Sequence, residues 1–177
     1  HYSDKQLGTF IDKAKKQKWY ENTIIIITGD TSWHGESLKK AENFDEFVDI
    51  RSKIPLLIIG GPIKISTVVE EFGSQIDIAP TIADLLNLPR TTPWMGSSLL
   101  VASSNSFAFT NRPSMYWSVM SSNGRFHLEN DQIPHLFGEI DEKDQRHYEI
   151  LGNALINTTK WLLQENLYWP SSIYNYN

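Results

Sequence analysis

This chain predicts an α/β fold, and three observations carry the prediction. Thr23-Ile24-Ile25-Ile26-Ile27-Thr28 is a β-branched run that stops abruptly at Gly29-Asp30. Pro55-Leu56-Leu57-Ile58-Ile59 is a second short apolar run, ended by Gly60-Gly61-Pro62. Segments with apolar residues at helical spacing lie before and after these runs. Four consecutive isoleucines read as a strand buried on both faces, at the centre of a parallel sheet.

Composition narrows the class. The 177 residues favour one domain, and 1–177 is read as a single folding unit without repeats or linker. A hydrophobic share of 40% suffices for a core and excludes a disordered chain. The net charge of -5, with no basic run, argues against nucleic acid as a partner. There are no cysteines, which removes disulfides, thiolate zinc ligands and a thiol nucleophile. No stretch approaches the ~20 apolar residues that span a bilayer. The chain begins at His1 and runs almost at once into a helix signal, so it reads as an excised segment with any targeting sequence upstream.

Ser3 with Gln6 forms a capping-box pattern, and Leu7, Phe10, Ile11 and Ala14 follow at helical spacing. These predict an amphipathic helix over 4–17, with its lysines as the solvated face. Trp19-Tyr20-Glu21-Asn22 turns the chain into the strand 23–28. Residues 31–50 are polar and aromatic without a clean period, and predict a long loop with room for a short helix. Loops of this length in compact domains are more often functional than idle.

Asp77-Ile78-Ala79-Pro80 predicts a helix start, with Asp77 as cap and the helix reaching Leu88 before Pro89. Runs from Ser106 to Met120 and from Arg125 to Leu128 flank Ser121-Ser122-Asn123-Gly124, a strong hairpin signal. Acidic residues at 139–144 precede a long helix with Tyr148, Leu151, Leu155, Thr158 and Leu162 along one face. The glycosylation sequon Asn157-Thr158-Thr159 falls inside that helix and is read as a coincidence.

Chemistry in open α/β sheets collects just past the carboxyl ends of strands, and Asp30 stands at such an end. A carboxylate there is a natural ligand for Mg²⁺, Ca²⁺ or Mn²⁺, or else a cap of the following turn. Residue type alone leaves the two open. His34 is four residues on and would share a face with Asp30 in a helix. Glu36, Asp45 and Asp49 read as solvated loop carboxylates. No nucleophile stands out: Thr31 and Ser32 are hydroxyls without a histidine aimed at them. Gly-x-Ser-x-Gly, Walker, dinucleotide and His-Glu-x-x-His motifs are all absent.

Several segments together resemble the C-terminal half of the sulfatase/alkaline-phosphatase superfamily, in particular its lipoteichoic-acid-synthase-like phosphoglycerol transferases. They are Tyr2-Ser3-Asp4-Lys5-Gln6-Leu7-Gly8-Thr9-Phe10, Trp19-Tyr20-Glu21-Asn22-Thr23, and the strand ending Thr28-Gly29-Asp30. Ile54-Pro55-Leu56-Leu57-Ile58 and Ser74-Gln75-Ile76-Asp77-Ile78-Ala79-Pro80-Thr81-Ile82-Ala83-Asp84-Leu85-Leu86 follow, then Gly96-Ser97-Ser98-Leu99-Leu100. Residues 101–177 resemble the family's terminal hairpin and long helix only loosely.

The resemblance implies an alkaline-phosphatase-like α/β sandwich whose divalent cation and Thr, Ser or formylglycine nucleophile attack a phosphate or sulfate ester. It implies membrane-anchored, extracytoplasmic action at the periplasm or cell surface, on phosphoglycerol or phosphoethanolamine groups of envelope glycans or lipids. Asp30 maps onto the family's metal aspartate, and the resemblance offers His34 as a displaced nitrogen ligand. The family's histidine directly after that aspartate is replaced by Thr31. Its nucleophile and remaining metal ligands belong to the N-terminal half. The expected partner is therefore that half of the same protein, and the chain alone is expected to be inactive, with no catalytic residue of its own and no defined substrate contacts. The cation is Mn²⁺, Mg²⁺ or Ca²⁺ in the intact enzyme, and none on this chain alone. The missing histidine favours the alternative, a catalytically dead sulfatase-fold domain with a binding or structural role.

Overall fold

The structure is a computed structural model that describes residues 2–32, 41–89, 94–103, 105–129 and 133–167. The chain divides into two compact units, His1–Val68 and Val69–Asn177. Each is taken in turn.

In the first unit, helix α1 spans Tyr2–Ala14. The 4–17 expectation is shifted at both ends. Ser3 lies inside the first turn and does not cap it, and beyond Ala14 the chain tightens into i→i+3 bonds, Lys16 to Lys13 at 3.2 Å and Gln17 to Ala14 at 2.9 Å. Leu7, Ile11 and Ala14 face inward, whereas Phe10 is 48% exposed. A 3₁₀ turn over Lys18–Asn22 delivers the chain to strand β1, Ile24–Thr28.

Strand β2 is Leu56–Gly60, and it pairs with β1 antiparallel, with Ile24 opposite Gly60 and Thr28 opposite Leu56. This corrects the expectation that the isoleucine run lies at the centre of a parallel sheet. The connection after Thr28 leaves and re-enters at the same end of the ladder, so no crossover is needed. Neither strand is buried on both faces: β1 is half-buried, and Leu57 of β2 is exposed. Gly60 has φ 151° and closely abuts Thr23, whose carbonyl would lie 2.0 Å from an added Cβ.

Between the strands, helix α2 spans Phe44–Ser52, so the expected loop is helical there. Asn43 caps it by accepting the Glu46 amide at 2.9 Å, and Asp45 and Glu46 complement its positive end. Val48 is its buried residue.

In the second unit, a 3₁₀ turn Gln75–Asp77 leads into helix α3, Ile78–Leu85. The helix stops three residues short of the predicted Leu88. Asn87 takes φ 52°, and the Leu88 amide reaches back to the Ala83 carbonyl at 2.8 Å, closing a left-handed C-cap.

Strands β3 (Ala108–Arg112), β4 (Tyr116–Ser121), β5 (Gly124–Glu129) and β6 (Pro134–Gly138) form an antiparallel sheet in chain order. Ser121 pairs with Gly124, making the predicted hairpin around Ser122-Asn123. The single run read from Ser106 to Met120 is two strands, folded back at Pro113-Ser114-Met115 with Ser114 at φ 62°. Helix α4, Glu142–Gln164, is capped by Asp141, which accepts the Asp144 amide at 2.7 Å. Trp117, Val119, Phe126, Leu128 and Tyr148 form the core between this helix and one sheet face, joined by Phe109, Leu151 and Ile156. Among the described residues no helix is long and apolar enough to cross a membrane.

Candidate functional site

The ladder of β1 and β2 ends at Thr28, and the next four residues are Gly29-Asp30-Thr31-Ser32. Gly29 is packed against the chain entering β2: an added Cβ would lie 3.7 Å from Pro55 Cδ and 3.2 Å from the Thr31 carbonyl oxygen. Asp30 and Thr31 are exposed, and Ser32 is buried. Ser32 Oγ donates a hydrogen bond to the Arg51 carbonyl in the last turn of α2. Asp30 thus presents its carboxylate at the surface from a backbone held on both sides.

An exposed carboxylate is an oxygen donor of the kind hard divalent cations prefer, so Asp30 fits as one ligand. His34 and Glu36 lie outside the described residues. Asp45 sits in the first turn of α2, and Asp49 is ion-paired with Lys53 four residues on. Among the described residues, no group of three or more His, Asp or Glu side chains stands close enough to hold a metal ion.

A second constellation, which the sequence did not suggest, lies on the sheet face opposite the core of the second unit. Thr110, Ser118, His127 and His135 stand in register across β3 to β6. Ser118 Oγ is 2.6 Å from His127 Nδ1, and His127 Nε2 is 3.5 Å from Glu129 Oε1. Tyr116 and His135 flank the imidazole, with ring centroids 5.2 and 6.2 Å away. Desolvation holds the His127 pKa below its usual value, against the opposing pull of Glu129, so the neutral ring is favoured.

Serine, histidine and carboxylate in line resemble a hydrolytic triad in residue type. Ser118 is only 3% exposed and His127 2%, so no substrate reaches the hydroxyl. Ser118, His127 and Glu129 form a structural hydrogen-bond network. The network's signal was the alternation of Tyr116, Ser118 and Met120 with Trp117 and Val119, and of Arg125, His127 and Glu129 with Phe126 and Leu128.

Comparison with known proteins places the chain among known folds and sequences. The sulfatase family model matches residues 1–88. Rat arylsulfatase K (Rattus norvegicus) is 32% identical over 108 residues, covering 60% of this chain and 19% of that protein. Lipoteichoic acid synthase 2 of Bacillus subtilis (strain 168) is 29% identical over 96 residues, covering 50% of this chain and 15% of that protein. The chain thus spans about a fifth or less of the length of these relatives. A crystal structure of a protein in the alkaline phosphatase superfamily from Vibrio parahaemolyticus superposes with a TM-score of 0.70 at 25% identity, over 96% of this chain and 42% of that one. With an α/β fold of this topology, and sequence likeness running through Gly29-Asp30, the chain belongs to the sulfatase/alkaline-phosphatase superfamily.

Proposed function

We propose that the intact protein is a metal-dependent enzyme that cleaves or transfers phosphoric or sulfuric esters, and that Asp30 is one oxygen ligand of its divalent cation. The observation that carries this is the placement of Asp30, exposed and one residue past Gly29 at the end of β1, inside the region matched by the sulfatase family. Mn²⁺, Mg²⁺ or Ca²⁺ suits a carboxylate donor, and His34 is the proposed nitrogen ligand. The cation, when bound, would offset negative charge on the transferring group and lower the pKa of the nucleophile. This chain's part is to hold the Asp30 carboxylate in place.

Phosphoglycerol or phosphoethanolamine groups on envelope glycans or lipids are the proposed substrates, by likeness to lipoteichoic acid synthase 2. Sulfated sugars are the counterpart suggested by the arylsulfatase K likeness. The proposed place of action is outside the cytoplasm, and the proposed partner is the rest of the family's catalytic domain, which supplies the nucleophile.

One observation favours a second reading. Thr31 occupies the position where the resemblance calls for a metal-binding histidine, which suits a sulfatase-fold domain that binds without turnover.

Mn²⁺ titration of the intact protein, followed by electron paramagnetic resonance, separates the two. Stoichiometric binding that Asp30→Ala abolishes, together with hydrolysis of p-nitrophenyl phosphate or sulfate, supports the enzyme. Binding unchanged in Asp30→Ala would remove Asp30 from the site, and binding without hydrolysis of either ester supports the second reading.

A further inference from the structure

We infer that Ser32 is a positioning residue for Asp30, fixing the loop that carries this carboxylate to the C-terminal turn of α2; the inference rests on the reading of Asp30 as a metal ligand. A carboxylate one residue beyond a strand is aimed only as well as its backbone is held. On the near side, Thr28 is in the ladder opposite Leu56, and Gly29 packs on Ile54 and Pro55, so the approach to Asp30 is defined. On the far side, Thr31 is exposed, and the next anchor is Ser32, a buried hydroxyl two residues after the carboxylate.

The acceptor makes this anchor specific. The last four carbonyls of an α-helix lack intrahelical partners, and Arg51 supplies one of them. Ser32 Oγ donates to it from nineteen positions away in the numbering, tying the loop to an element distant in sequence. Helix α2 is itself well held. Asn43 caps its start, the Arg51 guanidinium lies 5.1 Å over the Phe47 ring, and the Ser52 hydroxyl bonds the Val48 carbonyl at 2.7 Å. The loop from Gly29 to Ser32 is therefore clamped between the start of β2 and the end of α2, with Asp30 between the clamps. Groups that hold a metal ligand without touching the metal typically change metal affinity by about 10–100-fold when removed.

The test uses the intact protein in four forms: wild type, Ser32→Ala, Ser32→Thr and Asp30→Ala. Mn²⁺ affinity is read by electron paramagnetic resonance at a temperature well below every unfolding midpoint, and thermal unfolding is measured separately. The expected result is about tenfold weaker binding in Ser32→Ala, wild-type affinity in Ser32→Thr, which keeps the hydroxyl, and loss of binding in Asp30→Ala. Wild-type affinity in Ser32→Ala alongside a lowered unfolding midpoint would reduce Ser32 to a purely structural role and overturn the inference. Wild-type affinity in Asp30→Ala would instead overturn the reading of Asp30. Should Ser32→Ala fail to fold, Ser32→Cys, similar in size but a weaker donor, takes its place with the same outcomes.

Discussion

The Asp77 carboxylate accepts the backbone amide of Ser97 at 2.7 Å, joining positions twenty apart in the chain. Its other oxygen accepts the Ser74 amide at 2.7 Å and faces the Ser74 hydroxyl at 3.3 Å. Asp77 is not the side-chain cap of α3 that its position suggests. Ser74 caps the 3₁₀ turn in a reciprocal capping box with Asp77, and α3 follows on from that turn. Just below, Thr81 Oγ1 donates to the Asp77 carbonyl at 2.6 Å and accepts the Leu99 amide at 3.0 Å. Two polar side chains thus fasten the 97–99 segment to the start of α3.

Asp77→Ala should lower the stability of the protein by about 2 kcal/mol, because two amides in a partly buried setting lose their shared acceptor at once. Equilibrium urea unfolding measures this as a lower midpoint at unchanged slope. A shift no larger than that of an exposed Asp12→Ala control would show that water replaces the carboxylate at no cost.

Gly152 lies where α4 crosses Trp117, and an added Cβ would stand 2.1 Å from Trp117 Cζ3. The indole is stacked on Phe126 with centroids 5.0 Å apart, so it cannot swing away. Gly152→Ala should cost about 2 kcal/mol by overpacking, despite alanine's better helix propensity. Thermal denaturation followed by near-ultraviolet dichroism reads both the loss and the disturbed Trp117 environment. A stabilised variant would mean that propensity outweighs the clash.

The Tyr148 hydroxyl and Ser121 Oγ are 2.5 Å apart, linking α4 to the β4–β5 hairpin. Tyr148→Phe should remove about 1 kcal/mol and no more, since Ser121 Oγ keeps the Asn123 amide at 3.1 Å. Ser121→Ala in the same background tests the pairing: additive losses would show that the two hydroxyls are not coupled.

His127 gives the fold a pH dependence whose sign follows from its burial. Its folded pKa lies below the ordinary histidine value of 6.5, so in that interval the unfolded chain binds more protons than the folded one. The contribution is full above pH 6.5 and is lost as the pH falls from there towards the lowered folded pKa. Glu129 opposes the shift, whereas His135 and Arg125 add to it. Urea midpoints measured from pH 8 to pH 5 should therefore fall more steeply in the wild type than in His127→Gln. Parallel profiles would show that His127 does not titrate between the two states.

Legibility in the sequence tracked how local each feature is. The isoleucine run predicted β1, and Asp141 with the acidic residues after it announced α4. The hairpin at Ser122-Asn123 was equally plain, because its turn chemistry is contained in four residues. Helix α2 was allowed for within residues 31–50 but not placed, although Asn43 followed three residues later by Glu46 is a capping pattern that marks its start. Strand β6, Pro134–Gly138, was passed over because it is short and carries His135 and Pro134 among its apolar residues.

At the strand end, the sequence by itself determined the family and the carboxylate. Gly29-Asp30 followed by Thr31 is visible in the linear string, as is the segment from Ser74 to Leu86. Only the tertiary structure decided that β1 and β2 run antiparallel, that Ser32 is tied to Arg51, and that Asp77 reaches Ser97. The reason is physical. Propensity, capping and turn chemistry act within a few residues, whereas strand direction and these hydrogen bonds are settled between groups some twenty or more positions apart. Such partners meet only where burial gives an unpaired donor or acceptor nowhere else to go.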